Sequence, residues 1–399
     1  MHILHSVLWV VVTGLTSLIS PALASPGDDL MAFHDCLYQC EQISCHRNPY
    51  HIVQREFRDE LTRPDSNYEW KYYNGHWHFM EMPLPWYLRA LLWDCESNCD
   101  YQCQRVITAE RRKRDQEILQ FHGKWPFWRI GGIQEVASVI FSLGNLYVNY
   151  IGFKKVWSAM KMANSTTLKW QYANVIAMSA ITVMAWTCST IFHIRDFEIT
   201  EHLDYYFAGL TVLAGFHTLG ARLFNLHKPD NWHWRLFFTT LCVAAYSAHI
   251  YRLVTDWSYT YNMQANITIG VIQNCFLFGV CYNLYSKYYY EEVGPNEKTV
   301  NLSHLHYINF RRIILPSFFS RSAKLYSLYP LLLCTIVSLG MSLEIFDFPP
   351  IFFDLVDAHS LWHLVTIFPA WLGWFDWMIW DINENICTEL IEEEKKKNE

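Results

Sequence analysis

The sequence predicts an all-α polytopic membrane protein: a seven-helix transmembrane bundle with a disulfide-rich lumenal head at its N-terminus. Three observations predict this fold. Of the 399 residues, 52% are hydrophobic and only 17% are charged. Beyond residue 130, apolar blocks of about 20 residues follow one another, as membrane-spanning helices require. Six of the twelve cysteines fall into two runs in the polar first part of the chain.

Composition and charge exclude several classes of protein. A disordered chain or a fibrous repeat does not combine 52% hydrophobic with 17% aromatic residues. The formal net charge of −7 and the isoelectric point near 6.2 provide no basic field for a phosphate backbone. We therefore expect no nucleic acid partner.

The N-terminus, residues 1–24, is predicted to be a secretory signal peptide. An apolar run over residues 6–20 precedes the small-residue pattern Ala-Leu-Ala at 22–24, which fits cleavage after the last alanine. An uncleaved anchor stays the alternative, because His2 and His5 stand where lysine or arginine is usual. Either way, the chain that follows starts on the lumenal side.

Residues 25–130 are predicted to form a cysteine-rich lumenal domain. Its cysteines are arranged as Cys36-x3-Cys40-x4-Cys45 and Cys95-x3-Cys99-x3-Cys103. This spacing puts each run on one helical face, so two helices packed face to face could form up to three disulfides in an oxidising lumen. Zinc binding by these thiols is the alternative, and the connectivity stays open.

Residues 131–382 are predicted to form the seven-transmembrane domain. The apolar blocks run roughly over 133–152, 172–193, 203–222, 235–253, 263–285, 326–343 and 358–380. An odd number of spans puts the two termini on opposite faces of the membrane. A lumenal head therefore requires residues 383–399 to be a cytosolic tail.

Two features support this orientation. Most lysines and arginines of the bundle fall in the presumed cytosolic loops, whereas the presumed lumenal loops hold only Arg195 and Arg252 beside several acidic residues. The last four residues, 396–399, read Lys-Lys-Asn-Glu and match the dilysine retrieval signal, which the COPI coat reads in the cytosol. We expect a multi-pass protein of the endoplasmic reticulum membrane, surrounded by membrane lipid.

Polar residues inside membrane spans are costly, so each is a candidate functional residue. Here they gather at the lumenal ends of three spans. Ser189 and His193 end the second span, Asp204 begins the third, and His359 and His363 begin the seventh. The i, i+4 spacing places Ser189 and His193 on one helix face. It places His359 and His363 on one face of another helix.

Three imidazoles on two helices supply the donors of a catalytic zinc site. Such a site has three protein ligands and one open position for a water molecule, whose pKa the metal lowers towards about 7. We expect His193, His359 and His363 to be the ligands, because calcium and magnesium prefer oxygen donors. A single histidine on a helix face is more often structural, so the joint placement carries this prediction.

The same residues resemble the motifs of a known superfamily. Ser189-x3-His193, Asp204 eleven residues later and His359-x3-His363 are similar to the motifs of the seven-span hydrolases, which include alkaline ceramidases and the progestin and adipoQ receptors. The cysteine-rich head and two runs, GKWPF at 123–127 and QEVASV at 134–139, resemble one branch, the Per1-like post-GPI-attachment proteins.

This resemblance covers nearly the whole chain after the signal peptide. It implies a phospholipase A2 of the endoplasmic reticulum that removes the sn-2 acyl chain from GPI-anchored proteins, so that another fatty acid can be installed. We expect zinc on the three histidines to activate a water molecule, with Asp204 as general acid and base. Ser189 would hydrogen-bond that water or the developing oxyanion. The competing chemistry is a Ser-His pair in which Ser189 is the nucleophile.

Four other polar residues are assigned lesser roles. Asp357 is expected to cap the last span or to support a ligand, and Glu135 could support a ligand near the lumenal face. His217 could likewise support a ligand, and His249 could line the site but is better explained by helix packing.

Alternatives from other classes stay open. An alkaline ceramidase-like amidase would not need the cysteine-rich head, and a receptor like the progestin and adipoQ proteins would want a larger cytosolic signalling surface. A transporter would want polar residues along a path across the bilayer. Here they are concentrated at one end of the bundle, which favours a site over a pore.

Overall fold

The computed structural model describes residues 25–48, 79–80, 82–291 and 318–391, which are mainly helical and contain no strand beyond isolated bridges. The predicted signal peptide and the dilysine motif lie outside these residues. The helices are α1 Met31–Cys40, α2 Trp86–Ala90, α3 Cys95–Lys113, α4 Val136–Met162, α5 Thr166–Ile194, α6 Glu198–Leu223, α7 Trp232–Thr255, α8 Tyr259–Glu291, α9 Ala323–Ile345, α10 Ala358–Trp371 and α11 Trp374–Trp380.

The head is built on two antiparallel helices, α1 and α3, joined by three disulfides. The pairs are Cys36–Cys103, Cys40–Cys99 and Cys45–Cys95. The last gap in the first run is one residue longer than the others, and there α1 continues as a π-helical turn, Glu41–Cys45. The i→i+5 hydrogen bonding of a π turn makes each turn wider than in an α-helix, so a cysteine five residues on stays near the same face. The predicted disulfide helices are confirmed, and a zinc site of free thiols is wrong.

Breaking one of these disulfides should destabilise the head. We expect Cys99→Ser to lower its unfolding free energy by roughly 2–5 kcal/mol, because the bridge to Cys40 is lost from a small domain. Thermal unfolding of the purified protein and its abundance in cells would both fall. Cys275→Ser, at an exposed free cysteine of α8, is the matched control and should change neither. An unchanged melting temperature for Cys99→Ser would contradict the structural role of the bridge.

The membrane domain is a ring of helices. Helices α4, α5, α6, α8, α9 and α10 pack in that order, and α10 returns to α4, while α7 packs outside the ring against α6. Four of the described helices are long and apolar enough to cross a membrane: α4, α5, α8 and α9. The chain is therefore an all-α polytopic membrane protein, and the total of seven spans stays a prediction.

The last predicted span, 358–380, is not one continuous helix. It divides into α10 and α11 at Gly373, whose φ of 107° lies in the left-handed region that glycine adopts without steric cost. Pro369, inside α10, removes a backbone donor shortly before this break. At 14 residues, α10 alone is too short to span a bilayer.

The two ends of the ring differ in chemistry. The end near α11 holds the largest buried aromatic side chains, among them Tyr172, Tyr326 and Trp380. A buried ion pair between Arg222 and Asp381, with Nε and Oδ2 2.7 Å apart, lies at the same end. The opposite end holds a buried cluster of histidines and serines, so the tightly packed core and the polar cluster are separated along the helices.

The head docks on the polar end of the bundle. Trp125 Nε1 donates a hydrogen bond of 2.9 Å to Asp347 Oδ2 in the α9–α10 loop. In the same loop, Asp354 accepts from Arg105 at 2.7 Å and from Arg112 at 2.6 Å. Burial opposes ionisation of Asp354, but these arginines outweigh it and hold its pKa below the usual value. Head and polar cluster therefore lie at the same end of the bundle.

Candidate metal centre

The cluster forms where two helix ends meet. His193 lies in the last turn of α5, and His359 and His363 lie in the first turns of α10. Asp357 fixes the start of α10 by a capping box, in which Ser360 N donates to Asp357 Oδ1 at 2.8 Å and Asp357 N donates to Ser360 Oγ at 3.0 Å. The expected capping role of Asp357 is thus observed, and it sets the position of both α10 histidines.

The three imidazoles are close enough to share one ion. One ring nitrogen from each of His193, His359 and His363 can be chosen such that all lie within 4.8 Å of one another. The ring centroids are 4.5 to 5.3 Å apart. His193 and His363 are buried, whereas the side chain of His359 is 36% exposed. The cluster is therefore closed on the bundle side and accessible beside His359.

Each histidine is held through its Nδ1 atom. His193 Nδ1 lies 2.7 Å from Glu135 Oε2, and His359 Nδ1 lies 2.9 Å from Glu344 Oε2. A metal-binding histidine commonly has its other nitrogen held in this way by a carboxylate, which fixes the tautomer and leaves Nε2 for the ion. His193 Nε2 is buried without a hydrogen-bond partner among the described residues. This donor set fits a metal ion.

The Glu135 contact extends to the head. Glu135 Oε1 lies 2.8 Å from Lys124 Nζ, which also lies 3.0 Å from Asp196 Oδ2 and 3.8 Å from the ring of Phe192. Burial opposes the charge on Lys124, but the two carboxylates outweigh it and raise its pKa above the usual value. The runs GKWPF and QEVASV, one before α4 and one at its start, thus meet beside His193.

Ser189 reaches the cluster through a second hydroxyl. Its Oγ lies 3.2 Å from Ser142 Oγ, which lies 2.9 Å from His363 Nδ1. If Nε2 of His363 faces the ion, Nδ1–H donates to Ser142 and Ser142 O–H donates to Ser189. The hydroxyl hydrogen of Ser189 is then free for another acceptor. No described histidine hydrogen-bonds Ser189 directly, which disfavours a Ser-His nucleophile pair.

Asp204 approaches the same cluster from the third helix. It lies in the second turn of α6, half-buried, and interacts electrostatically with His193 and His359. Within the described part of the chain, no group hydrogen-bonds its carboxylate. The five residues predicted from the sequence are therefore brought to one end of the bundle, and Asp204 carries an uncommitted carboxylate there.

The structure adds partners that the sequence reasoning missed. Ser142 and Asn145 lie on α4, where Asn145 Nδ2 donates to the backbone oxygen of His363 at 2.6 Å, and Glu344 lies in the last turn of α9. Glu344 could have been found as a carboxylate at the end of an apolar helix. His217, which could have supported a ligand, instead lies 2.9 Å from Thr239 Oγ1, and neither it nor His249 belongs to the cluster.

Comparisons with known proteins agree on one family. The model of the Per1-like family matches residues 85–382. Protein PER1 of Saccharomyces cerevisiae is 40% identical over 87% of this chain and 90% of its own length. The protein PER1 homolog of Schizosaccharomyces pombe is 32% identical over 88% of this chain and 86% of its own length.

A vertebrate relative carries a more specific name. GPI-specific phospholipase A2-like PGAP3 of Danio rerio is 27% identical over 93% of this chain and 95% of its own length. No solved structure matches this chain.

Proposed function

Because this chain belongs to the Per1-like family, we propose that it is a zinc-dependent phospholipase A2 that removes the sn-2 acyl chain from GPI-anchored proteins during lipid remodelling. The observation that carries this proposal is the histidine cluster. Its Nδ1 atoms are held by Glu135, Glu344 and Ser142, and the Nε2 atom of His193 is left buried without a partner.

The proposed zinc ligands are His193, His359 and His363. When bound, zinc supplies an activated water and a Lewis acid for the ester carbonyl. Three neutral nitrogen donors suit zinc, whereas magnesium and calcium take oxygen ligands. Glu135 and Glu344, which contact the Nδ1 atoms of His193 and His359, would add negative charge near a bound cation.

The other residues are proposed to move protons and to stabilise charge. Asp204, whose carboxylate has no described hydrogen-bond donor, would accept a proton from the attacking water and return it to the leaving alcohol. Ser189 would donate its free hydroxyl hydrogen to the developing oxyanion. The chain Ser189, Ser142, His363 holds that hydroxyl in place, because each member hydrogen-bonds the next.

The proposed function is tested by identifying the acyl chains that remain on the GPI anchors of cells carrying a variant. Cells in which His359→Ala is the sole copy should keep the original unsaturated sn-2 chain on their GPI anchors, measured by mass spectrometry. His217→Ala, which removes an imidazole from the same bundle away from the cluster, should leave the lipid profile normal. A normal profile for His359→Ala at normal protein abundance would rule out the proposed hydrolase.

The proposal places head and active site in the lumen of the endoplasmic reticulum and the tail in the cytosol, where it would bind the COPI coat. Protease treatment of sealed microsomes should leave the head, residues 25–130, intact and digest a C-terminal tag. This outcome follows from the lysine and arginine distribution. Digestion of the head with protection of the tag would refute the orientation.

A further inference from the structure

A cleft beside the metal centre is not used by the chemistry described above. It lies between the head and the bundle and has a volume of about 180 Å³. Helix α3 contributes Asp100 and Gln104, and the loop after α5 contributes Arg195. Trp93 and Trp125 are among its aromatic lining residues. Such a concave mixture of aromatic faces and a few polar groups is typical of a ligand site.

The cations that line this cleft differ in how closely they are paired with carboxylates. Lys124 is paired with Glu135 and Asp196, and His122 is paired with Asp100 at 2.8 Å. Arg195 makes no ion pair within the described residues.

The carboxylates of Asp196, Asp94 and Asp100 act on Arg195 only at longer range, and its close contacts are to an aromatic ring and a backbone oxygen. Its guanidinium lies over the ring of Trp93 at 4.0 Å, and Nη1 donates only to the backbone oxygen of Asp196 at 3.2 Å. Its Nε is buried without a hydrogen-bond partner. A half-buried guanidinium with unused donors is suited to a phosphate or carboxylate ligand, which it can bind by two parallel hydrogen bonds.

We propose that this cleft binds the phosphorylated sugar head group of the lipid substrate, an inference that rests on the proposed function. Arg195 would bind the phosphate. Asp100 and Gln104, joined by a hydrogen bond of 2.7 Å, offer acceptors and donors for sugar hydroxyls. Trp93 and Trp125 provide aromatic surface for the apolar faces of the sugar ring.

The position of the cleft fits this role. Lys124 lines it and also contacts Glu135, which holds His193. The cleft and the metal centre therefore share a wall. In a glycerophospholipid the phosphate and the sn-2 ester are separated by only a few bonds, so a head group bound at Arg195 would bring the ester to the histidine cluster.

Binding of a soluble head group tests the proposal independently of hydrolysis. The probe is glucosaminyl-inositol phosphate, which has no acyl chain, titrated into the purified full-length protein in detergent and followed by calorimetry. We expect saturable binding that Arg195→Gln weakens by roughly tenfold or more, because a charge-assisted phosphate contact is lost. Gln104→Ala should weaken it by a smaller factor. Arg252→Gln, on the α7 arginine paired with Asp256, should leave it unchanged.

A second titration, with inorganic phosphate, distinguishes recognition of the whole head group from binding of phosphate alone. Inorganic phosphate should bind far more weakly than the glycosylated probe if the cleft recognises the sugar as well. Equal affinity for the two, absence of probe binding, or unchanged binding in both Arg195→Gln and Gln104→Ala would overturn the proposal. Because the probe has no ester, a protein that lacked hydrolase activity could still bind it, so the two proposals fail separately.

Discussion

The double substitution His193→Ala/His363→Ala is expected to abolish metal binding. It removes two of the three proposed ligands, one from each helix, and a single imidazole cannot hold zinc in competition with water. The zinc content of the purified protein, measured by metal analysis, should fall from about one zinc per chain to background. Hydrolysis should be lost with it, because no metal would then lower the pKa of the attacking water or polarise the ester carbonyl.

Variants with smaller expected effects test whether the zinc is bound at this site. Glu344→Gln keeps the size of the side chain that holds His359 but removes its charge, and we expect metal affinity to fall about 10–100-fold. Glu135→Gln should behave similarly at His193. His217→Ala should retain full stoichiometry. Zinc at full occupancy in His193→Ala/His363→Ala would show that the metal binds elsewhere in the chain.

The location of the site could be predicted because membrane spans constrain polar residues strongly. Ionisable side chains, histidine included, are rare in membrane spans, and helix geometry relates residues four apart. Ser189 with His193 and His359 with His363 are therefore placed on helix faces by sequence alone. That these faces converge follows from their common depth at the lumenal ends of the predicted spans. The structure brings them together.

The partners behind the ligands could not be predicted in the same way. Ser142 lies 221 positions from His363 in sequence, and their contact depends on how α4 packs against α10. Glu344 is only 15 positions from His359, but the loop between α9 and α10 decides whether the two helix ends face each other. Long-range packing of this kind leaves no local periodicity in the sequence.

The disulfide pairing shows the same division. Spacing of three or four residues predicts helices with a cysteine face, yet six cysteines allow 15 pairings. The antiparallel packing of α1 and α3 selects one of them. The spacing of five residues from Cys40 to Cys45 is accommodated by a π turn, which spacing alone does not predict.

Catalysis should be separable from metal binding at Asp204. Asp204→Asn keeps the shape of the side chain but cannot accept a proton, so we expect normal zinc content and abundance with hydrolysis reduced by about 10²–10⁴-fold. Ser189→Ala removes one proposed hydrogen bond to the oxyanion and should cost about 10²–10³-fold. Both variants should leave the unsaturated sn-2 chain on GPI lipids, with Asp204→Asn the more severe.

In this mechanism neither Asp204 nor Ser189 is needed to hold the ion. Ser189 contacts the cluster only through Ser142, and no described group hydrogen-bonds the Asp204 carboxylate. Loss of zinc in Asp204→Asn would instead make Asp204 a metal ligand and move proton transfer to another group. A normal GPI lipid profile in cells that depend on Asp204→Asn would reject the mechanism whatever the zinc content, because no other uncommitted carboxylate is described at the cluster.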